Sequence, residues 1–289
     1  MDSAERRIGS FWEENPNAAQ ESQWTSDPYI GAAVYRRMTL DEGNGHWLDW
    51  LFNRHFAGRD FGRILSIGCG VGDHEIAMAR FRPEAFIEAF DFSNASIDIA
   101  RQKASEAGLT NVDFFQGNFN EINVEPTTYD MILCSGSLHH VRELEHLLGE
   151  VRRGLTTGGC FIVNEYVGDC YNIYGADQVR IIQQVLDGLP PSLRMAERFR
   201  VGTIEEVFDR DPTEAVRSKL IPQFLRIYFR EVDERPFGGA LLHPLYPFLN
   251  VARLETDPDC HQAIINGFIT LDGHLLEQGK SDFSFFICS

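Results

Sequence analysis

The chain has 289 residues with a net charge of −17, and hydrophobic residues make up 43% of it. Its 22 Phe, 8 Tyr and 4 Trp can fill a sizeable core, which excludes disorder as the main state. The acidic balance disfavours nucleic acid and anionic lipid as partners, because phosphate groups are repelled. No apolar run reaches the ~18 residues that a membrane span needs, and residues 1–12 lack the apolar segment of a secretory signal.

The cysteines and histidines indicate neither disulfides nor a metal site. Six cysteines are scattered without a C-x-x-C pair, which predicts reduced core cysteines in a cytoplasmic protein. Asp73, His74 and Glu75 are adjacent along the chain and therefore do not surround one ion. The other histidines show no ligand spacing, so we expect no bound metal.

The N-terminal part of the chain is predicted to be helical over residues 31–57. Apolar residues recur there at helix-like intervals, and Gly58 ends the pattern. We expect residues 1–57 to form a helical lid segment. Trp12 and Trp24 would lie either in this lid or at the edge of the core.

Strands and helices alternate through the rest of the chain. This alternation predicts an α/β fold with a doubly wound, mostly parallel sheet. A mainly helical insert over about 168–230 is expected between strands five and six, with one of its helices over 213–229. A last helix is predicted over 261–276. The predicted strands cover 63–67, 85–90, 112–115, 129–134, 160–164, 231–235 and 283–288, and the predicted helices between the first five strands cover 74–80, 96–108 and 141–155, the last followed by a turn at 156–159.

A glycine-rich turn after the first predicted strand is the strongest signal in the sequence. Residues 68–72 read Gly-Cys-Gly-Val-Gly and precede a predicted helix. Glycines leave backbone N–H groups accessible to a ligand, and ligands of open α/β sheets lie at the carboxyl ends of strands. The spacing differs from the G-x-G-x-x-G of a dinucleotide fingerprint, and the G-K-[ST] of a Walker loop is missing. The alternative is a turn in which the glycines serve packing alone.

Two further polar positions follow the second and third predicted strands. Asp91 comes about 20 residues after the glycine turn, where such sheets place an acid that accepts both hydroxyls of a ribose. Its alternative role is to cap the following helix. Asn118 can hydrogen-bond an adenine amino group, with Phe119 beside it, although Gly117-Asn118-Phe119 alone would also suit an ordinary loop.

In this order and spacing the chain resembles the class I S-adenosylmethionine-dependent methyltransferases. The resemblance covers about residues 60–165 and ends with the segment 155–160, Leu-Thr-Thr-Gly-Gly-Cys. It implies S-adenosylmethionine as cofactor, S-adenosylhomocysteine as product, and a seven-stranded sheet whose seventh strand, residues 283–288, is antiparallel.

The resemblance also implies which residues hold the cofactor. The three glycines of the turn would line the methionine moiety, Asp91 would hold the ribose, and Asn118 with Phe119 would contact the adenine, flanked by Phe92. The cofactor-binding residues implied in this way are Gly68, Cys69, Gly70, Gly72, Asp91, Phe92, Asn118, Phe119 and Ser135.

The segment 135–141, Ser-Gly-Ser-Leu-His-His-Val, follows the fourth predicted strand. It resembles the Ser-x-x-Leu-His-His of methyltransferases that act on quinones, sugars and other small molecules. Nucleic-acid amino-methyltransferases carry an Asn/Asp-Pro-Pro-Tyr motif there, which this chain lacks. An alcohol or phenol acceptor must lose its proton, a task that suits histidine. His139 or His140 is therefore a candidate base, and the alternative is that they orient the loop or line the cofactor pocket.

Four other residues are also candidates for the site, and among them Glu165 ranks with His140. Glu165 ends the fifth predicted strand, where it could accept a proton or hold a substrate hydroxyl, or could simply hydrogen-bond a loop. His243 could reach the acceptor pocket, but a surface or packing role is favoured. Arg36 and Arg37 could bind the cofactor carboxylate, but a solvated helix face is the favoured interpretation.

The sequence therefore predicts methyl transfer to a hydroxyl of a small molecule, such as a sugar, a glycan precursor or a secondary metabolite. The insert 168–230 and residues 1–57 would cover the acceptor, within one methyltransferase domain over 58–289. No nucleic-acid partner is expected, and the chain could form a homo-oligomer. The alternatives are a small-molecule N-methyltransferase, a protein methyltransferase, and a non-catalytic binding or scaffold protein that keeps the fold.

Overall fold

A seven-stranded sheet with helices on both faces forms the centre of the molecule in a computed structural model, which describes residues 13–14, 23–43 and 45–289. Trp12 and most of residues 1–22 of the expected lid segment lie outside the described residues. The strands are β1 Arg63–Ile67, β2 Phe86–Asp91, β3 Val112–Gln116, β4 Tyr129–Ser135, β5 Leu155–Tyr166, β6 Val232–Gly238 and β7 Phe283–Cys288. The α-helices are α1 Pro28–Thr39, α2 Trp47–Trp50, α3 Asp73–Phe81, α4 Asn94–Glu106, α5 Leu144–Gly154, α6 Ala176–Gly188, α7 Ile204–Arg210, α8 Ile221–Tyr228, α9 Leu242–Leu245, α10 Val251–Leu254 and α11 Pro258–Glu277.

The strand order is β3-β2-β1-β4-β5-β7-β6. Strands β1 to β6 are parallel, and β7 pairs antiparallel with both β5 and β6. Residues 131–134 of β4 are buried in succession, because helices cover both faces of the sheet. The expected doubly wound α/β fold with an antiparallel seventh strand is confirmed.

The order of the strands determines where a ligand can bind. The chain winds outward from β1 to β3, returns to place β4 beside β1, and then continues in the other direction. The loops after β1 and β4 therefore diverge and leave a crevice at the carboxyl edge of the sheet. The glycine turn follows β1 and the segment 136–141 follows β4, so both candidate sites meet at this crevice.

The prediction of a single helix over residues 31–57 is wrong, because the helical conformation is interrupted after Thr39. Helix α1 begins earlier, at Pro28, where the Asp27 side chain accepts hydrogen bonds from the N–H groups of Tyr29 and Ile30. Leu40 then adopts the left-handed conformation with a φ of 54°, which ends the helix. Helix α2 begins only at Trp47 and continues into a π-helical turn over Leu51–His55.

Two other boundaries differ from the sequence prediction. The helix predicted over 213–229 is shorter, because a 3-10 turn at Ser218–Leu220 precedes α8, in which Pro222 stands in the first turn. The turn predicted at 156–159 lies inside β5, where Gly158 has a φ of 80° and the pairing with β4 shifts register. Within the described ranges, no helix is both long enough and apolar enough to cross a membrane.

Candidate active site

Each of the three glycines in the turn is needed for a different structural reason. A Cβ atom on Gly68 would lie 2.3 Å from Ser137 Oγ, and one on Gly72 would lie 2.8 Å from the side chains of Ala100 and Phe114. A Cβ atom on Gly70 would meet nothing within 4 Å. Gly70 thus leaves space open for a ligand, whereas Gly68 lets the β4 loop approach the turn. Gly72 lets α3 and α4 pack together and does not line the cavity.

Asp91 connects the turn after β1 to the end of β2. Its carboxylate accepts hydrogen bonds from the N–H of Gly70 at 2.9 Å and the N–H of Ser93 at 3.0 Å. Burial raises the pKa of Asp91 above its usual value, although these hydrogen bonds oppose the rise. Because each carboxylate oxygen has two lone pairs, Asp91 can still accept hydrogen bonds from a ligand in the adjoining cavity.

A cavity of about 1200 Å³ lies at the carboxyl edge of the sheet. It is larger than most sites for one small ligand, so it can hold a cofactor and a second molecule together. At one end it is lined by eight of the nine residues expected to bind the cofactor: Gly68, Cys69, Gly70, Asp91, Phe92, Asn118, Phe119 and Ser135.

Glu165 lies under the loop that follows β4 and does not line the cavity. The residue is 1% exposed, and its carboxylate accepts hydrogen bonds from the N–H groups of Ser137 at 3.0 Å and Leu138 at 2.8 Å. It also accepts one from the N–H of Tyr166 and forms an ion pair with His139 Nδ1. The structure therefore gives Glu165 a positioning role, the hydrogen bonding of a loop that the sequence left as its alternative.

His139 lines the cavity with its Nδ1 held by Glu165. Burial alone would lower the pKa of the imidazole, but the carboxylates of Glu165, Glu214 and Asp211 together outweigh this effect and raise the pKa to about 9. Since Glu165 occupies Nδ1, the remaining nitrogen, Nε2, is the one available to a ligand. Glu165 thereby fixes the orientation of this imidazole, and the three carboxylates favour its charged form.

The tautomer of His140 follows from its neighbours. Thr213 Oγ1 donates to Asp211 Oδ1 at 2.6 Å, so it accepts from His140 Nδ1, which lies 3.2 Å away. His140 Nδ1 therefore carries the proton, and Nε2 lies 3.9 Å from Glu214 Oε2. Burial, followed by the neighbouring His139, lowers the pKa of His140.

Glu214 and Asp211 were missed by the sequence analysis. Both line the cavity from the loop between α7 and α8, and Asn172 Nδ2 donates to Glu214 at 2.8 Å. Burial would raise the pKa of Glu214, but the two imidazoles, the hydrogen bond from Asn172 and the charge of Arg210 together lower it to about 2. No motif or spacing in the sequence marks these two acids, because the insert brings them to the β4 loop from far along the chain.

Aromatic side chains complete the far end of the cavity. Tyr166, Tyr174, Phe199 and Phe248 line it, together with His243. Burial lowers the pKa of His243 to about 4, and its ring lies 5.0 Å from that of Phe283. His243 is thus a half-buried residue that packs against Phe283, as the favoured prediction had it, and that also lines the cavity.

Two candidates from the N-terminal part of the chain, Trp24 and Arg37, lie in different surroundings. Trp24 is buried and lines the cavity next to His243. Arg37 lies away from the cavity, where it pairs with buried Asp272 at 2.9 Å and donates to two backbone carbonyls. The Arg37 side chain therefore connects α1 with α11 and β6.

The chain is similar in sequence to methyltransferases. A family model described as "Methyltransferase domain" matches residues 60–206. The demethylmenaquinone methyltransferase of Listeria monocytogenes serotype 4a is 32% identical over 97 residues, which are 33% of this chain and 41% of that protein. An uncharacterised protein of Synechococcus sp. is 28% identical over 151 residues, 52% of this chain and 35% of that protein. The chain thus spans less than half of the length of these two curated relatives.

A solved structure shows similarity over almost the whole chain. Haemonchus contortus phosphoethanolamine N-methyltransferase 2, in complex with phosphomonomethylethanolamine and S-adenosylhomocysteine, matches with a TM-score of 0.54. The match covers 97% of this chain and 60% of that protein at 14% identity. At this level of identity the likeness shows a shared fold alone.

Proposed function

Because the chain belongs to the methyltransferase-domain family, as the sequence motifs predicted, we propose that it transfers a methyl group from S-adenosylmethionine to a hydroxyl group of a small molecule. One observation carries the proposal. The glycine turn with Asp91, and the imidazoles of His139 and His140, open into the same cavity from opposite sides of the crevice between β1 and β4. A methyl donor and an acceptor could therefore meet there.

The cofactor would occupy the end of the cavity nearest to the glycine turn. Gly70 leaves room for close approach, and Asp91 would accept hydrogen bonds from the ribose hydroxyls. Phe92 and Phe119, which line the cavity beyond Asp91, would contact the adenine, and Asn118 would bond its amino group. Asn118 is already oriented, since its side-chain oxygen accepts from the N–H of Asn120 at 3.0 Å.

The acceptor would occupy the other end, with its hydroxyl at the two imidazoles. Methyl transfer forms the oxygen–carbon bond as the carbon–sulfur bond breaks, and the electron pair remains on sulfur. The hydroxyl proton must leave the acceptor oxygen, so polar groups are needed at that oxygen. His139 and His140 would supply them, Glu165 would position His139, and the protein would align the two reactants in one cavity.

The test uses methyl-labelled S-adenosylmethionine, the purified protein and a size-fractionated extract of the source cells. Label in the small-molecule fraction would support the proposal and provide a compound to identify. Label in macromolecules alone would refute a small-molecule acceptor and would favour a protein or a glycan polymer. Failure to bind S-adenosylhomocysteine in a calorimetric titration would refute the cofactor site and would favour a scaffold protein.

An amine acceptor is a second candidate, which a separate observation favours. The carboxylates of Asp211 and Glu214 line the acceptor end and would attract a cationic ammonium group. Parallel assays with matched alcohols and amines of similar size would separate the two candidates. In either case, the insert residues Tyr174, Phe199 and Val207 would cover the acceptor as part of a lid.

A further inference from the structure

Two imidazoles and one carboxylate converge at the acceptor end of the cavity. One ligand atom from each of His139, His140 and Glu214 lies within 4.8 Å of the other two. The imidazole rings of the two histidines are 4.2 Å apart between centroids. All three residues line the cavity, so a molecule bound there has direct access to them.

Surrounding residues hold the two imidazoles in orientations that suit the binding of a metal ion. Glu165 occupies Nδ1 of His139, and Thr213 with Asp211 occupies Nδ1 of His140. Nδ1 of each imidazole is thus already engaged by oxygen atoms, and Nε2 of His140 faces the Glu214 carboxylate. Histidines that bind metal ions characteristically engage their other ring nitrogen with a carboxylate or another oxygen atom, which fixes the tautomer and the ring direction.

The carboxylate of Glu214 is also held in place, because Asn172 Nδ2 donates to its Oε1 at 2.8 Å. Its other oxygen, Oε2, faces His140 Nε2 at 3.9 Å. Three carboxylates, those of Glu165, Asp211 and Glu214, surround the pair of imidazoles, and this arrangement favours positive charge between them. Two nitrogen donors and one oxygen donor suit the divalent ions of the later first-row transition metals.

We propose that His139, His140 and Glu214 bind a divalent transition-metal ion of the Zn²⁺ type at the acceptor end of the cavity. The sequence predicted no metal site, because two adjacent histidines and a distant glutamate have no recognisable ligand spacing. Three protein ligands leave at least one coordination position open for an exogenous oxygen atom. Binding of the ion displaces any proton that His139 carries on Nε2.

The role of this ion rests on the proposed function. An acceptor hydroxyl bound at the open position would ionise more readily, because the metal stabilises its oxyanion. The proton would pass to solvent, and the oxyanion would attack the methyl carbon as the carbon–sulfur bond breaks. In this arrangement the imidazoles hold the ion that activates the acceptor, and neither needs to take up the proton.

The decisive experiment measures metal binding without cofactor or acceptor, so its outcome is independent of methyl transfer. Chelator-treated full-length protein is titrated with Zn²⁺ by calorimetry, and Co²⁺ is used separately as an absorbance probe of the ligand set. We expect one ion for each chain. The variants Glu214→Gln and His140→Gln should each weaken Zn²⁺ binding at least about 100-fold, because loss of a supporting residue alone costs about 10–100-fold.

His274→Gln is the matched control, because His274 is an exposed histidine of α11, far along the chain from the cluster. This variant should bind Zn²⁺ like the parent protein, and thermal unfolding curves will confirm that all three variants are folded. A parent protein that binds no Zn²⁺ at millimolar concentration would overturn the proposal. Equal affinity in the parent and in both cluster variants would do so as well, since the ion would then bind elsewhere.

Discussion

Glu75 in α3 is a buried acid whose replacement should stabilise the protein at alkaline pH. It is 2% exposed, and Ser66 Oγ donates to its Oε1 at 2.5 Å. Its Oε2 has no hydrogen-bond partner among the described residues. Burial raises the pKa of the carboxyl from 4.5 to about 7; nearby Asp73 and Asp91 add to the rise, and the Ser66 hydrogen bond opposes it.

The sign and size of the effect follow from this shift. The folded protein holds the Glu75 proton more tightly than the unfolded chain, so the free energy of unfolding falls as pH rises from about 4.5 to about 7. Above that range the loss is complete and amounts to about 3 kcal/mol, at 1.36 kcal/mol for each pKa unit. Glu75→Gln removes the ionisation and keeps an oxygen that can accept from Ser66.

The assay is urea unfolding of the parent and of Glu75→Gln at several pH values between 5 and 8.5. We expect nearly equal stability near pH 5 and a growing advantage for the variant, of about 2–3 kcal/mol, by pH 8. Glu121→Gln, at an exposed glutamate, is the matched control and should follow the parent protein. A difference between Glu75→Gln and the parent that does not change with pH would refute the argument.

Three further predictions concern the cavity and the turn. Asp91→Ala should weaken S-adenosylhomocysteine binding at least about tenfold by calorimetry, because the variant loses the ribose acceptor and a hydrogen bond to Gly70; unchanged affinity would exclude the ribose role. His140→Ala should lower turnover more than cofactor affinity, and equal losses would make it a cofactor-pocket residue. Gly72→Ala should destabilise the fold by about 2 kcal/mol, measured by urea unfolding, because its Cβ would clash with Ala100 and Phe114 at a φ of 80°; parent-like stability would contradict this.

That the residues proposed to hold the cofactor would lie together at one edge of the sheet could be predicted from the sequence, because their signals are local. The glycine turn follows directly after β1 and Asp91 ends β2, and parallel strands deliver such positions to one edge of the sheet. The exception is Gly72, which the resemblance placed beside the cofactor. In the structure its neighbours are Ala100 of α4 and Phe114 of β3, two contacts that a local motif does not reveal.

Helix boundaries were predicted less well because backbone conformation decided them. Apolar periodicity continues across residues 31–57, but Leu40 takes a left-handed conformation, which periodicity does not report. The same holds at Gly158, where positive φ and a shifted register are contained within one strand. Trp47, Leu48 and Leu51 are buried, so the error in the first case lay in the continuity of the helix. Gly158 is exposed, and the error there was to place a turn outside the strand that contains it.

The acceptor end differs from the cofactor end in how it is assembled, and this difference has a consequence for specificity. His139 and His140 come from the loop after β4, but Asp211 and Glu214 come from the insert between β5 and β6. A change in the insert can therefore alter the charge and shape around the acceptor while the glycine turn and Asp91 remain intact. The family match extends to residue 206 and stops before both acids. We therefore infer that Asp211 and Glu214, rather than the glycine turn, determine which acceptor this chain prefers.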